Sequence, residues 1–151
     1  MKVTVRAANA SDLPAILEIE QQAPTAAHWR RSDYEAALSD SRHLLLAAEG
    51  EDAQVLGFIV ASTAAQEWEL ENIAVTPAVR RRGIGSALII ALIARAQMTG
   101  ALEIRQEIRV SNLAAQRLGQ AAGFEQEGRR RGYYRNPEED ALLFKYLVKR
   151  P

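Results

Sequence analysis

The chain has 151 residues, which corresponds to a single domain (residues 1–151) large enough to bury a hydrophobic core without disulfide bonds. Apolar residues make up 48% and charged residues 25%, which is typical of a globular protein and excludes disordered and collagen-like chains. Nineteen basic residues balance nineteen acidic ones, so the net charge gives no attraction to nucleic acid or to a membrane surface. Cysteine is absent and only two histidines are present, so thiolate catalysis and the usual zinc sites are excluded and we expect no metal.

The longest apolar stretch is too short to span a bilayer. It runs from Ile84 to Ala94 and ends at Arg95, whereas a membrane helix needs roughly 20 residues. The first residues, Met1 to Thr4, do not have the pattern of a secretory signal. These features predict a cytoplasmic protein.

The first half of the sequence predicts a strand, two helices and then three antiparallel strands. A short strand over residues 3–7 precedes a helix that Asn9 or Ser11 can cap. The pattern Ser32-Asp33-Tyr34-Glu35 is a capping box, and it predicts a second short helix over residues 33–39. Strand-like runs follow at residues 43–48, 55–63 and 68–76.

The second half alternates helices and strands. A long apolar helix is predicted over residues 83–98, a strand over 102–110 and a helix over 112–122. The last strands are predicted at 124–127 and 141–148, with a basic, tyrosine-bearing segment from Gly128 to Glu139 between them. The whole pattern indicates an α/β protein of the α+β type.

A turn rich in arginine and glycine, Arg80-Arg81-Arg82-Gly83-Ile84-Gly85-Ser86, connects a strand to the long helix. The first N–H groups of a helix are unpaired and carry the positive end of its dipole, and glycine lets a phosphate approach the backbone. The P-loop and Rossmann patterns both fail, the latter because Leu88 occupies the third glycine position. Taken alone, the turn fits a phosphate site and a solvent-exposed helix start equally well.

Several motifs together resemble the GNAT acyltransferases, and within them the bacterial ribosomal-protein-alanine N-acetyltransferases. Residues 73–85 resemble motif A with its R/Q-x-x-G-x-G/A turn, and Glu107 to Asn112, followed by Gly123-Phe124, resembles the E-V-R-x-S-N stretch. The segments 130–134 and 139–141, together with the Trp29 and Tyr34 spacing, resemble that branch. The resemblance implies the GNAT fold: a central mixed, mostly antiparallel sheet of about seven strands, splayed between the fourth and fifth, with about four helices.

The resemblance also implies acetyl-CoA as co-substrate. The residues that it assigns to this ligand lie on the fourth strand, in the glycine-rich turn and before a later helix. They are Ile73, Ala74 and Val75 for the pantetheine arm, Arg80, Arg81, Arg82, Gly83, Ile84, Gly85 and Ser86 for the pyrophosphate, and Asn112 for the arm. Asn112 also suits a helix N-cap, and the two roles are compatible.

For catalysis, Glu107 matches the position of the general base proposed in this branch, and Glu69 is a second candidate from the wider superfamily. The other interpretation of Glu67, Glu69 and Glu71 is a solvent-exposed strand face. These carboxylates would also form a negative groove for a basic peptide. The residues predicted to bind the acceptor are Trp29, Tyr34, Glu71 and Tyr133.

The sequence departs from the family in two places. Gly119 stands where the family has a tyrosine thought to protonate the leaving thiolate, and Tyr134 or Tyr133 is the available substitute, with Tyr134 the predicted catalytic residue. The residues Ala26-Ala27-His28 before Trp29 also differ from the branch, which bears on the choice of acceptor.

The expected function is therefore acetylation of a protein N-terminal α-amine, of the ribosomal-protein-alanine type, by direct attack on the thioester of acetyl-CoA. Two alternatives remain: acetylation of a small amine or another protein, and a non-catalytic acetyl-CoA-binding module, against which Glu107 and Glu69 argue. A local basic patch at Arg129, Arg130, Arg131 and Arg135 does not outweigh the zero net charge, so direct nucleic-acid binding is not expected. We expect no membrane association and a monomer or homodimer.

Overall fold

The computed structural model describes residues 2–23 and 28–150, and its elements follow the predicted order. The helices are α1 (Leu13–Gln21), α2 (Arg31–Ser39), α3 (Ile84–Thr99) and α4 (Leu113–Ala122), with short 3₁₀ turns at Ala10–Asp12 and Pro77–Val79. The strands are β1 (Thr4–Ala7), β2 (His43–Glu49), β3 (Val55–Ser62), β4 (Glu67–Val75), β5 (Glu103–Arg109), β6 (Glu125–Tyr134) and β7 (Glu139–Leu147). Among the described helices, none is both long enough and apolar enough to cross a membrane.

The strands form one seven-stranded sheet in the order β1-β2-β3-β4-β5-β7-β6. Strands β1 to β4 pair antiparallel with their neighbours, β4 and β5 pair parallel, and β7 pairs antiparallel with both β5 and β6. The mixed, mostly antiparallel sheet and the four helices confirm the predicted fold class.

The sheet splits between β4 and β5, as expected. The two strands pair from Glu67 opposite Glu103 to Leu70 opposite Gln106, and the pairing ends there. At the same level β4 contains one extra residue, Glu71, because its pairing with β3 shifts between consecutive positions. Such a bulge bends a strand and increases its twist, which accounts for the divergence of β4 from β5.

Helices cover both faces of the sheet. Helix α3 packs across β2, β3 and β4 on one face, whereas α1 and α2 cover β2 to β4 on the other. Neighbouring side chains of one strand therefore enter different cores: Phe58 packs with the α1 and α2 side and Ile59 with the α3 side. Burial on both faces explains why β2 and β3 are apolar almost throughout.

Two of the element boundaries that differ from the prediction have a direct structural cause. Helix α2 begins at Arg31, because the Asp33 carboxylate accepts the backbone N–H of Arg30 at 2.8 Å; the Ser32 and Glu35 capping box does not form. Strand β6 continues to Tyr134 instead of ending at residue 127, because it pairs with β7 over most of this length. The extended β6 brings its two tyrosines beside the split in the sheet.

Candidate active site

Two adjoining clefts open where β4 and β5 diverge. The larger, which we call the large cleft, has a volume of about 670 Å³ and is formed by β4, the turn before α3, and α4. The smaller, the small cleft, has about 210 Å³ and lies between the ends of β4 and β5, with Tyr134 beside it. Ile73, Asn112 and Ala115 line both clefts, so the two spaces are continuous at these residues.

The large cleft collects nearly all residues predicted to bind the cofactor. Those that line it are Ile73, Ala74, Val75, Arg80, Arg81, Gly83, Ile84, Gly85, Ser86 and Asn112. Arg82 is exposed and does not line it, so its predicted contact with the pyrophosphate is not supported by its position.

The backbone at the start of α3 is arranged for an anion. Gly83 precedes this 16-residue helix with a φ of +82°, and within residues 2–23 and 28–150 its first turn receives no side-chain cap from the N-cap position. Gly85 has a different reason to be glycine, because a Cβ there would lie 3.0 Å from Leu118 Cδ2 on α4. Free N–H groups, a helix dipole and the adjacent Arg81 form a site suited to phosphate.

Arg80 has a partly structural role in this turn. Its Nε donates to the Val75 carbonyl at 3.2 Å and its Nη2 donates to the Gln22 carbonyl at 3.4 Å. The side chain therefore fixes the turn against the end of β4 and the end of α1. Its backbone and guanidinium still border the large cleft.

Asn112 caps α4 and also borders both clefts. Its side-chain oxygen accepts the Ala115 backbone N–H at 3.1 Å, which is the N-cap bond expected from the sequence. Its contact with a cofactor arm stays a prediction.

Carboxylates surround the small cleft. Glu71 and Glu107 line it, and Glu69 lies nearby. Desolvation of Glu69, and then the charges of Glu107 and Glu71, raise the pKa of Glu69. Arg130 Nη1 lies 3.7 Å from Glu107 Oε1, and Arg109 also lines the small cleft, where its guanidinium is paired with Glu139 at 3.0 Å. Three carboxylates at one end of the split give this cleft a negative character suited to an amine.

The two tyrosines of β6 lie beside Glu107. A hydrogen bond to Glu107 and its negative charge raise the pKa of the Tyr133 hydroxyl. Burial, followed by the charge of Glu107, raises the pKa of Tyr134 to about 12. Tyr134 lines the small cleft, and the Arg109 guanidinium lies 4.3 Å from the centre of its ring. Tyr134 therefore keeps its proton at neutral pH in a fixed position.

The family can now be assigned from the whole chain. Residues 12–124 match the family model described as acetyltransferase (GNAT) family. The chain belongs to the GNAT acetyltransferase family. It is 33% identical over 142 residues to the ribosomal protein bS18-alanine N-acetyltransferase of Salmonella typhimurium, covering 93% of this chain and 94% of that protein. The corresponding Escherichia coli K12 enzyme is 32% identical over the same length.

Solved structures agree with this assignment. The E. coli ribosomal-protein-S18-alanine N-acetyltransferase has a TM-score of 0.86 and 28% identity, covering 99% of this chain and 96% of that chain. A GNAT phosphinothricin acetyltransferase from Sinorhizobium meliloti, solved in complex with AcCoA, has a TM-score of 0.84 at 23% identity, over 98% of this chain and 89% of that one. The second likeness shows the fold alone. The matches confirm the predicted branch, and the chain is a GNAT N-acetyltransferase.

The position of the missing GNAT tyrosine faces the protein interior. A Cβ at Gly119 would lie 3.5 Å from Phe144, 3.6 Å from Phe124 and 3.7 Å from Gln106 Oε1, all ordinary contact distances. Gly119 lines neither cleft. Gln106 does line the small cleft, and its buried Oε1 has no hydrogen-bond partner in the described part of the chain. Gly119 therefore places no side chain beside this polar oxygen.

Two of the predicted acceptor-binding residues, Trp29 and Tyr34, lie behind the small cleft and do not line it. Tyr34 is fully buried, and its hydroxyl donates to Glu20 Oε1 at 2.6 Å. Trp29 is half-buried and packs on Tyr34 with ring centres 5.1 Å apart. Neither lines a cleft, and the Tyr34 side chain exposes no surface, so a contact between Tyr34 and an acceptor stays a prediction that its position does not support. The departure at Ala26 and Ala27 lies outside the described residues.

Sequence reasoning missed several residues that line the two clefts. Arg117 lines the large cleft from α4, and it follows Ala114 by three positions, so helical spacing was the available signal. Asn72 also lines the small cleft, together with its predicted neighbours Glu71 and Ile73. Strand alternation predicts that it faces the opposite side of the sheet from them, so the pattern did not mark it. Arg109 stacks on Tyr134, and its Nη1 also lies 3.0 Å from Glu139 Oε2. No local pattern marks this last arrangement, since it joins β5 to the β6–β7 connection.

Proposed function

We propose that this enzyme transfers the acetyl group of acetyl-CoA to the N-terminal α-amine of a protein, by direct attack of the amine on the thioester. The observation that carries the proposal is the junction of the clefts at Ile73, Asn112 and Ala115. A thioester held in the large cleft and an amine held in the small one meet at this junction. Bringing two reactants together in this way supplies a large part of the rate of such a transfer.

The residues of the large cleft fit acetyl-CoA. Arg81, Gly83 and the first N–H groups of α3 suit its pyrophosphate, and Arg117 adds positive charge from α4. Beyond Leu70 the β4 backbone has no pairing with β5, which leaves its amides on that side for the pantetheine arm. When bound, acetyl-CoA supplies the activated thioester.

An α-amine is the acceptor that this site needs to activate least. With a pKa of about 7.8 it is about 14% neutral at pH 7, whereas a lysine side chain needs roughly 3.5 kcal/mol more to lose its proton. The carboxylates Glu71 and Glu107 can attract a cationic acceptor into the small cleft. The similar enzymes of Salmonella typhimurium and E. coli are N-acetyltransferases of the alanine of ribosomal protein S18, which supports a ribosomal protein N-terminus as the acceptor.

Glu107 is the general base in this proposal and Glu69 the secondary one. Glu107 borders the small cleft, where its carboxylate can take a proton from the amine directly or through water. Tyr134 is the general acid, because it borders the same cleft as Asn112 and Ala115 and keeps its proton at neutral pH. No covalent enzyme intermediate is required, because the amine attacks the thioester carbon and the thiolate leaves with a proton.

A mass-spectrometric acceptor screen tests the proposal. The acceptors are peptides beginning with Ala, Ser or Met, the same peptides with a blocked N-terminus and an internal Lys, and polyamines. We expect acetylation at the free N-terminus, with Ala-initiated peptides among the substrates. Faster acetylation of the internal Lys peptide or of a polyamine would overturn the acceptor class while leaving the acetyltransferase assignment intact.

A further inference from the structure

A buried carboxylate lies behind the small cleft, and the reaction proposed above does not use it. Glu20, near the end of α1, is only 5% exposed. Its Oε1 accepts three hydrogen bonds: from the Trp29 backbone N–H at 2.9 Å, from the Tyr34 hydroxyl at 2.6 Å and from Asn72 Nδ2 at 2.9 Å. These three donors all depend on Glu20 Oε1 as a hydrogen-bond acceptor.

The three donors come from separate parts of the chain. Trp29 lies in the connection between α1 and α2, Tyr34 lies in α2, and Asn72 lies in β4. Asn72 Nδ2 also lies 3.1 Å from the Tyr34 hydroxyl, which closes the network. Glu20 therefore joins two helices and their connection to the strand that forms one wall of the split.

The network reaches the small cleft at two places. Asn72 lines it directly, immediately after the bulge at Glu71, and His28, the neighbour of Trp29, lines it as well. None of the four network residues lines the large cleft. The network thus contacts the small cleft directly, whereas none of its own four residues forms a wall of the large cleft.

The charge of Glu20 matters because of where it lies. Within residues 2–23 and 28–150, its carboxylate forms no ion pair with a cationic side chain. A buried anion is tolerated only when hydrogen bonds replace its hydration, and bonds to a charged acceptor are stronger than neutral ones. Burial and the bond to Glu20 raise the pKa of Tyr34, so this donor stays protonated.

We propose that Glu20 is a positioning residue for the acceptor: through Asn72 and Trp29 it holds two parts of the lining of the small cleft in place, Asn72 itself and His28 next to Trp29. This inference rests on the proposed function, in which the small cleft receives the amine. Loss of the Glu20 charge should therefore weaken acceptor binding more than cofactor binding.

The chain offers a matched control. Asp12 is also buried, at 6% exposure, and lies just before the other end of α1. Its carboxylate accepts Arg6 Nη1 at 2.8 Å, Arg6 Nη2 at 2.9 Å and the Asn9 backbone N–H at 2.8 Å. Asp12 lines neither cleft. Asp12→Asn thus disturbs a buried carboxylate on the same helix without touching the acceptor side.

The test compares steady-state kinetics of Glu20→Gln, Tyr34→Phe and Asp12→Asn, well below their melting temperatures. For Glu20→Gln we expect the KM for the acceptor peptide to rise at least about fivefold while the KM for acetyl-CoA changes by less than about twofold. Tyr34→Phe, which keeps the ring and removes one donor, should raise the same acceptor KM by a smaller factor. Asp12→Asn should lower Tm and leave both KM values unchanged.

Two kinetic results would overturn the proposal: an equal rise of both KM values in Glu20→Gln, or an unchanged acceptor KM in both Glu20→Gln and Tyr34→Phe. If the wild-type enzyme acetylates another amine instead of an N-terminus, the proposed function fails, and the role of Glu20 is then tested with the KM for that amine instead of the KM for the peptide.

A second readout does not depend on activity. Amide hydrogen exchange at Trp29 should accelerate in Glu20→Gln relative to Asp12→Asn, and equal exchange in the two variants would also reject the role of Glu20.

Discussion

At the scale of single residues, Glu107 combines a position in the small cleft with an arginine neighbour, because Arg130 Nη1 lies 3.7 Å from its carboxylate. Desolvation, and then the charges of Glu107 and Glu71, raise the pKa of Glu69. Glu69 lines neither cleft. This difference in position favours Glu107 as the group that accepts the amine proton.

The first prediction concerns this base. Glu107→Gln keeps the size of the side chain and removes its basicity, so kcat/KM near pH 7 should fall at least about tenfold, the lower part of the range for general-base catalysis. The loss should shrink as pH rises through the amine pKa of about 7.8, because a free amine no longer needs a base. A pH series of kcat/KM for wild type and variant measures this.

Glu69→Gln is the matched control for the base. It should reduce the rate less than Glu107→Gln at pH 7, because Glu69 does not line either cleft. If Glu69→Gln abolishes turnover and Glu107→Gln does not, the two roles are reversed; if neither changes the rate, proton removal runs through water.

The second prediction concerns the acid. Tyr134→Phe keeps the ring against Arg109 and removes the hydroxyl proton. A thiol of pKa about 8.5 costs roughly 2 kcal/mol to expel unprotonated at pH 7, so kcat should fall by at most about thirtyfold, and the loss should fade above pH 8.5. Since the pKa of Tyr134 is raised to about 12, a plot of kcat against pH for the wild-type enzyme should show no decrease from loss of the Tyr134 hydroxyl proton below pH 10.

Tyr133→Phe separates proton donation from a general effect of removing a tyrosine hydroxyl. Tyr133 is 47% exposed and lines neither cleft, so this variant should affect kcat less than Tyr134→Phe. A larger loss in Tyr133→Phe would move the acid to the neighbouring residue.

At the scale of elements, helix α3 has a glycine with positive φ at each end, and only one of them borders a cleft. Gly83 has φ +82° and Gly100 has φ +79°, and a Cβ at either position would meet nothing within 4 Å. The two sites therefore have the same backbone requirement but opposite ends of the helix dipole.

The third prediction uses this pair. Gly83→Asp places a carboxylate where the pyrophosphate is proposed to bind, so the affinity for CoA should fall by at least about tenfold in calorimetry. Gly100→Asp imposes similar backbone strain and puts a negative charge at the unfavourable end of the dipole. It should lower Tm and leave CoA affinity unchanged. Unchanged CoA affinity in Gly83→Asp would reject the site.

The elements also show what the sequence could and could not predict. Strands β2 to β4 and helix α3 were predictable because their apolar patterns are long and their ends carry turn residues. The end of β6 was not, because its arginines and glycines hide the alternation, and its pairing depends on Asp140, which accepts Arg129 Nε at 2.6 Å and the Gly132 N–H at 2.8 Å. Such partners lie far along the chain or beyond a turn, where local patterns carry no information.

The same limit applies to the candidate site. The glycine-rich turn was predictable because its function resides in consecutive backbone groups, which the motif specifies directly. Tyr34 was matched to the family by spacing, yet spacing does not reveal that a side chain is buried beneath Trp29 and bonded to Glu20. Side chains whose roles depend on three separate elements become visible only when the elements are assembled.

At the scale of the whole molecule, different carboxyl groups change the free energy of unfolding with pH in opposite directions. Hydrogen bonds lower the pKa values of four carboxyl groups: from Arg6 to Asp12, from the Arg42 backbone and side chain to Asp40, from the Ser111 side chain and then Arg109 to Glu139, and from the Gly132 backbone and Arg129 to Asp140. A lowered folded pKa contributes stability that is present above the unfolded value and is lost as pH falls through the folded value. These groups therefore stabilise the protein at neutral pH and release that stability in acid.

Glu69 has the opposite sign, which gives the last prediction. Desolvation and the charges of Glu107 and Glu71 raise its pKa, so its favourable protonated form is lost as pH rises through the folded value. Glu69→Gln should therefore raise the free energy of unfolding at pH 7, by at most about 1 kcal/mol because solvent screens a partly exposed group. The gain should disappear towards pH 4, where the wild-type carboxyl is already protonated. Urea unfolding of both proteins at the two pH values measures the difference, and a variant that is less stable than wild type at pH 7 would show that the three carboxylates do not repel one another in the folded enzyme.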